Sequence, residues 1–417
     1  MVAVSILTAS CSIRETVEPD SISSSDFCLV FYCSGGDTTH TECMTDYKDA
    51  MEKLLPESGV AVTWILKSHN PDVATLRYYS DGGKFVTDEG WNGGTGYDIS
   101  SPDNLAEFLQ WSASRFPDRR YVLVTAGHGN VWRPSTDGVG RADGTVAHAD
   151  PQGLLYDGTT GRTMAASDLS AAIMESGVDV EALLTNNCLQ GSVETLAEWN
   201  GYVDYVVYGT SYVPDMGGDY PYLIKLMDRS PDLRSLLYDY VAHCGEFFNG
   251  IEYPFETGGS SLSVMEMKYF DPLMETVRKI FVEMGVSLDR TSATTDFPCV
   301  YGRTFADGYR AAMEATIQMD RLDEPKTHDL YDFLFNAVLY TGHPELMTLV
   351  GEFRDRLNEA VLINVHNSGL DGHKLSFNIC TYPEDLTREN LELYRTCRFD
   401  KATRWSDLYT TLFVDGE

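Results

Sequence analysis

"LLTNNCLQGSVE", residues 183–194, decides how this chain is read. An apolar run of strand length stops at Asn186 and Asn187; Cys188 follows, and past Gly191 a helical pattern begins. A buried strand that opens into a helix sets the residues between them at the carboxyl end of the strand, where open α/β sheets bind their ligands. Ahead of a helix N-terminus, the dipole favours the thiolate form of a cysteine. The cysteine's own N–H and its neighbours are also placed to stabilise an oxyanion.

Working outward, "FCLVFYC" (27–33), "GVAVTWIL" (59–66), "YVLVTAG" (121–127) and "YVDYVVYGT" (202–210) are further apolar runs without strict alternation. Such runs are typical of parallel strands covered on both faces. Helical patterns at 101–116, 165–176 and 191–199 lie between them. The first has Ser101 at the N-cap position, Pro102 at the first helical position, and Leu105, Phe108, Leu109 and Ser112 along one face. Strands alternating with helices predict an α/β fold, a doubly wound and mostly parallel sheet flanked by helices. From about residue 230 the pattern turns mainly helical, at 231–248, 271–284, 330–342 and 345–364, with a late strand at 373–382. The expected organisation is a leader and linker over 1–25, a core over 26–230, and a largely helical region over 231–417 packed on that core.

Three strand ends carry groups fit for chemistry or recognition: "GHGN" with His128, "NNC" with Cys188, and "TSYVPDMGGDY". His128 precedes Cys188 by sixty residues, about one βα unit plus a long loop, which suits adjacent strands. An imidazole there can supply or accept a proton for a thiol nucleophile. The remaining histidines (His40, His69, His148, His243, His328, His343, His366 and His373) are scattered and read as solvated or structural. The stretches 81–96 and 137–153 read as exposed loops, and the second misses the calcium-loop spacing. No metal and no cofactor is assigned.

Composition narrows the partners. With 31 basic against 63 acidic residues the formal net charge is −32, which argues against nucleic acid. No apolar run reaches the length of about 20 residues needed to span a bilayer. The nine cysteines form no CxxC pair, so neither a zinc ribbon nor a thioredoxin-like site is expected. The N-terminal "MVAVSILTASC" runs through apolar and small residues to Cys11, then turns polar. It is similar to the end of a bacterial lipoprotein signal, although it has no basic start and carries Thr8 three residues before the cysteine. The expectation is export to the cell envelope or secretion, with membrane attachment through a lipidated Cys11.

Several segments together resemble the clostripain family of cysteine peptidases, relatives of caspases, legumains and gingipains. "LVFYCSGGD" resembles its first strand and loop, and "YVLVTAGHGNVW" its His-Gly strand end. "GLLYDGTTGRTMAASDLSAAI" resembles the segment after its cleavable loop. "LLTNNCLQGSVETLAEW" resembles its nucleophile segment, and "GTSYVPDMGGDYPY" its substrate-binding loop. "LSFNICTYPEDLTRENLELYRTCRFDKATRW" resembles its last strand and Trp-containing helix. The resemblance implies a caspase-like three-layer fold, Cys188 as nucleophile, His128 as its general acid/base, and an oxyanion hole from the amides of Gly129 and Cys188. It implies peptide or protein substrates, hydrolysed through a thioester.

The same resemblance sharpens the two amides. The family usually carries Asp two residues before the nucleophile, facing the pocket for a P1 Arg or Lys; here Asn186 stands there, with Asn187 beside it. Losing a charge-assisted partner costs about 1.5–3 kcal/mol, so preference for basic P1 residues is expected to weaken. Ser211, Asp215 and Asp219 in the substrate loop are further candidates, and either aspartate is placed to supply a displaced carboxylate. Family members commonly cut themselves in the loop after the histidine; Arg141–Ala142 occupies that loop, and Arg162 is a second basic site. The alternative from a different class is a non-catalytic binding or scaffold lipoprotein on the same fold.

Overall fold

The structure is a computed structural model that describes residues 25–129, 132, 153–249, 260–288, 290, 304–316, 327–366, 378–380 and 391–414. Its strands are β1 Phe27–Ser34, β2 Ala61–Lys67, β3 Leu76–Asp81, β4 Lys84–Thr87 and β5 Arg120–Ala126. The hairpin of β6 Leu155–Asp157 and β7 Arg162–Met164 follows, then β8 Val180–Asn186 and β9 Tyr205–Tyr208. The last are β10 Ser261–Glu266, β11 Thr327–Asp329, β12 Val361–His366 and β13 Asn378–Cys380. Nine of them form one sheet, in the order β12-β10-β9-β8-β5-β1-β2-β3-β4. The central five, β9-β8-β5-β1-β2, run parallel. Antiparallel pairs extend both edges.

Each face of the sheet has its own core. One face is covered by α1 Thr38–Glu52, with Met44 and Met51 turned inward. The other is covered by α2 Pro102–Arg115, α3 Ala166–Ser176 and α4 Val193–Trp199. Helices α5 Tyr220–Arg229 and α6 Leu233–Asn249 join α1 on the first face. On the second face α7 Phe270–Ser287, α8 Phe305–Ala315, α9 Leu330–Thr341 and α10 Pro344–Ala360 continue the layer. This is the expected three-layer α/β fold. The buried face of α2 holds Leu105, Phe108, Leu109 and Ser112 as its periodicity predicts. Ser101 sits at the N-cap position, but its side chain makes no capping bond.

Two boundaries differ from the sequence expectation. The stretch 81–96 is not all loop, because β4 folds back on β3 around Gly82-Gly83. The last helix of the run 345–364 ends at Ala360, and "VLINVH" pairs with β10 as an edge strand. β-branched residues on a half-buried surface favour strand, and a pairing partner was available. Of the late strand at 373–382, the described residues Asn378–Cys380 form β13, which pairs with β11 outside the main sheet. The region after 230 therefore contributes β10 and β12 to the central sheet.

The C-terminal segment also braces the helix that follows Cys188. Its elements are α11 Leu391–Tyr394, α12 Arg398–Thr403 and α13 Trp405–Tyr409. The Tyr394 hydroxyl donates to the fully buried Glu194 carboxylate at 2.6 Å, and the Arg398 amide donates to Glu198 at 2.9 Å. Trp132, from the loop after His128, packs edge-on against Tyr394.

Candidate active site

The site is built where β5 and β8 end side by side. Their parallel register brings Ala126 opposite Asn186, so His128 and Cys188 leave the sheet at the same edge. Asn187 holds the two ends together. Its Oδ1 accepts from Thr125 at 2.8 Å, while Nδ2 donates to the carbonyls of Gly127 at 2.9 Å and Leu154 at 2.5 Å. This amide is almost fully buried and wholly engaged, so it belongs to the framework and not to the substrate-binding surface expected for it. Gly129 completes the apposition. A Cβ there would fall 2.7 Å from the Asn187 Cβ and 2.9 Å from the Cys188 carbonyl, so only glycine lets the His128 loop lie this close.

Cys188 is half-buried at this junction. Its Sγ lies 3.5 Å from the Val213 amide, which donates to it, and 3.7 Å from the Val213 carbonyl. Burial pushes the thiol up to about 11, with Asp215 adding to the rise and the Val213 amide opposing it. The thiol at rest is therefore protonated, contrary to the thiolate that the helix dipole was expected to favour. The reason is distance along the chain. Helix α4 begins only at Val193, capped by Ser192, and a turn separates its N-terminus from the sulfur. That turn carries Leu189 at φ +59, a costly conformation for a bulky residue. It is held by bonds from the Leu189 amide to the Ser211 carbonyl and from the Gly191 amide to the Gly209 carbonyl. The buried Ser211 thus supports the nucleophile turn through its backbone. Among the described residues, neither the Gly129 nor the Cys188 amide donates to another group.

His128 makes no hydrogen bond with Cys188. Its Nε2 lies 2.7 Å from Oδ2 of Asp37, the N-cap of α1. The other carboxylate oxygen accepts from the His40 amide at 2.9 Å and lies 3.3 Å from His40 Nδ1. The rings of His40 and His128 stand 4.1 Å apart, and His40 Nε2 reaches to 3.6 Å from Asp215. Burial acts to raise the Asp37 carboxyl, but the bonds from the His40 backbone and His128 outweigh it and hold the group below its usual range. Burial lowers His40, and the neighbouring His128 adds to that; Asp215 and Asp37 oppose it. Asp37 and His40 were not assigned to the site from sequence. The strand-end "SGGD" was a faint signal, but His40 lies one helical turn into α1 and gave none.

Asn186 has the opposite character to Asn187. It is only 5% exposed, and neither its Oδ1 nor its Nδ2 has a hydrogen-bond partner. The turn over it is tight: the Gly217 amide donates to the Pro214 carbonyl, and Gly217 has φ +68. A Cβ at Gly217 would collide with the Asn186 amide. Of the two aspartates in this loop, Asp219 caps α5 through the Tyr222 amide at 3.0 Å and lies 3.0 Å from His243. Asp215 is half exposed and is the carboxylate whose charge reaches Cys188. The other described thiols whose burial is known, Cys28, Cys33, Cys43, Cys244 and Cys397, are free, and all but Cys43 are buried. Cys11, Arg141 and Ala142 lie outside the described residues. Arg162 is exposed on β7 and pairs with Asp98 at 3.0 Å.

A thiol and an imidazole at neighbouring strand ends agree with the comparisons. The model of the clostripain family matches residues 73–341, well over half the chain. The chain belongs to the clostripain family. It is thus a cysteine peptidase by family, and its fold is that of solved C11 proteases. One is a secreted C11 cysteine protease from Bacteroides thetaiotaomicron in complex with an irreversible peptide inhibitor. It shares 16% identity at a TM-score of 0.65, covering 91% of this chain and 99% of that one. Another is an inactive zymogen C11 protease from Parabacteroides distasonis, with 14% identity, TM-score 0.64, and coverage of 91% and 98%. No curated protein sequence matches significantly. Clostripain-family membership rests on the matched segment, which includes both His128 and Cys188 but begins after Asp37 and His40.

Proposed function

We propose that this chain is an endopeptidase in which Cys188 attacks the peptide carbonyl and His128 carries the proton. The observation that supports it is the Asn187 clasp, which sets His128 and Cys188 at one sheet edge. With Nε2 directed at Asp37, the imidazole keeps the Nδ1 lone pair for proton transfer. The thiol proton passes to Nδ1 as the sulfur bonds to the carbonyl carbon. The free amides of Gly129 and Cys188 take the oxyanion. Nδ1 then protonates the leaving amine, the C–N bond breaks, and a thioester remains. Water, deprotonated by the same nitrogen, hydrolyses it and restores the thiol.

For P1, the unpartnered Asn186 amide supports a side chain that offers both a donor and an acceptor. Leaving such a group unsatisfied costs about 1–3 kcal/mol, which a P1 Gln or Asn returns on binding. Arg and Lys lack an acceptor, and the amide brings them no charge. Maturation by cutting at Arg141–Ala142 is then slow or left to another enzyme. Export fits the secreted relative from Bacteroides, and among the described residues no helix is long and apolar enough to cross a membrane. Attachment through a lipidated Cys11 remains part of this proposal.

The test is cleavage of a peptide library varied at P1, with the full chain beside Cys188→Ala. Cleavage after Gln or Asn, falling by about 10⁴ or more in the variant, is expected. The mass of the incubated chain shows whether it also cuts itself. Preferred cleavage after Arg makes Asp215 the pocket's charge. Equal silence from both proteins moves the binding-protein reading ahead.

A further inference from the structure

Asp37, His40 and His128 form the cluster of metal-ligating groups found among the described residues, with one ligand atom from each lying within 4.8 Å of the others. The peptidase chemistry uses His128 and its partner Asp37, but it gives His40 nothing to do. His40 is nevertheless buried, and its Nδ1 faces the same carboxylate that holds His128. Two imidazoles therefore converge on one carboxylate, at 2.7 and 3.3 Å. From these contacts we propose that Asp37, His40 and His128 bind a zinc ion, and that the bound metal switches the peptidase off.

The donor set selects the ion. Calcium and magnesium take oxygen ligands, whereas two imidazoles and a carboxylate suit zinc. Tetrahedral zinc with bonds of about 2.0–2.1 Å sets its ligand atoms about 3.3 Å apart. The His40–Asp37 contact already has that spacing, the His128–Asp37 contact at 2.7 Å lengthens, and the widest separation, within 4.8 Å, closes by side-chain rotation. The site is open on one side: His128 is a third exposed and Asp37 about half, which leaves room for a water as fourth ligand. Asp215, 3.6 Å from His40, adds a second carboxylate that attracts a cation. Asp37 and the His40 amide are already tied together by the start of α1, so two of the three ligands are set by one helical turn.

The inhibitory half of this inference rests on the catalytic reading of His128; the binding half does not. With Nε2 on the metal, a neutral imidazole carries its proton on Nδ1 and has no lone pair left there. It cannot accept the thiol proton, so Cys188 is not activated. Removing the metal returns Nε2 to Asp37.

Zinc affinity is measured by competition with a chromogenic indicator, in the wild-type chain, Cys188→Ala and His40→Gln. Inhibition by zinc is read in parallel, as the ratio of inhibited to uninhibited rate for the wild type and His40→Gln. One zinc bound equally by wild type and Cys188→Ala, and at least about tenfold more weakly by His40→Gln, is expected, with inhibition shifting in step. Binding that survives in His40→Gln but is lost in Cys188→Ala places the metal on the thiol and overturns the proposal. Cobalt(II) in the wild-type chain decides the same point without a variant: visible d–d bands with no near-ultraviolet sulfur-to-metal band are expected, and the sulfur band overturns it. A chain with no peptidase activity on any peptide, yet with His40-dependent zinc binding, counts against the catalytic reading and leaves the metal site standing.

Discussion

The two sides of the candidate site are built on opposite principles. The wall formed by the ends of β1 and β5 is polar and paired: Asp37 serves the N-terminus of α1, His40 and His128 at once. The wall formed by the ends of β8 and β9 is more sparsely paired. There Cys188 is a neutral thiol against the Val213 backbone, and Asn186 holds a buried amide with no partner. On the proposed mechanism, the difference divides the labour of peptide hydrolysis. Proton handling is prepared in the free protein, because a carboxylate can orient an imidazole at little cost near solvent. In that mechanism, Cys188 and Asn186 wait for the substrate, which brings the missing hydrogen bonds and the path for the thiol proton.

The sharpest attempt to break this comparison is chemical. If burial keeps Cys188 as a thiol titrating at about 11, its alkylation by iodoacetamide rises about tenfold per pH unit, roughly a hundredfold from pH 7 to 9. The sign follows from burial, which penalises the thiolate, so less reactive anion exists at low pH. Site-resolved mass spectrometry separates this cysteine from the part-exposed Cys43. A plateau below pH 8 means that a resting thiolate–imidazolium pair exists and the walls are not independent.

Asn186→Asp tests the unpartnered amide. Restoring a carboxylate raises kcat/KM for Arg or Lys at P1 by about ten- to a hundredfold and lowers it for Gln, measured with matched peptides. An unchanged profile removes Asn186 from the pocket. Asn187→Ala is the smaller effect and sharpens the contrast between neighbouring amides. It strands the Thr125 hydroxyl and the Gly127 and Leu154 carbonyls, and costs about 1–3 kcal/mol of stability by denaturant unfolding. Activity falls as well, because the clasp between β5 and β8 loosens, but P1 preference holds.

Much of this architecture was legible in the chain. Apolar runs at 27–33, 121–127 and 180–187 became adjacent parallel strands, because residues buried on both faces leave an unbroken hydrophobic signature. Strand ends then located His128 and Cys188. The edge strands β3, β4 and β12 were harder to see, since half-buried strands carry mixed residues and take their form from a partner.

What the sequence determined by itself was the succession of parallel strands and the helices between them, and the places where a thiol and an imidazole leave the sheet. These follow from local hydrophobic patterning, which neighbouring residues alone create. What only the tertiary structure decided was the work of each polar group. Asn186 and Asn187 are the same residue type in adjacent positions, yet successive side chains at a strand end point to opposite sides. One amide met three partners and became a clasp; the other met none. Likewise His40 joined Asp37 and His128 only because α1 starts beside the end of β5. Hydrogen-bond partners and burial are set by contacts between distant segments, and no local pattern records them.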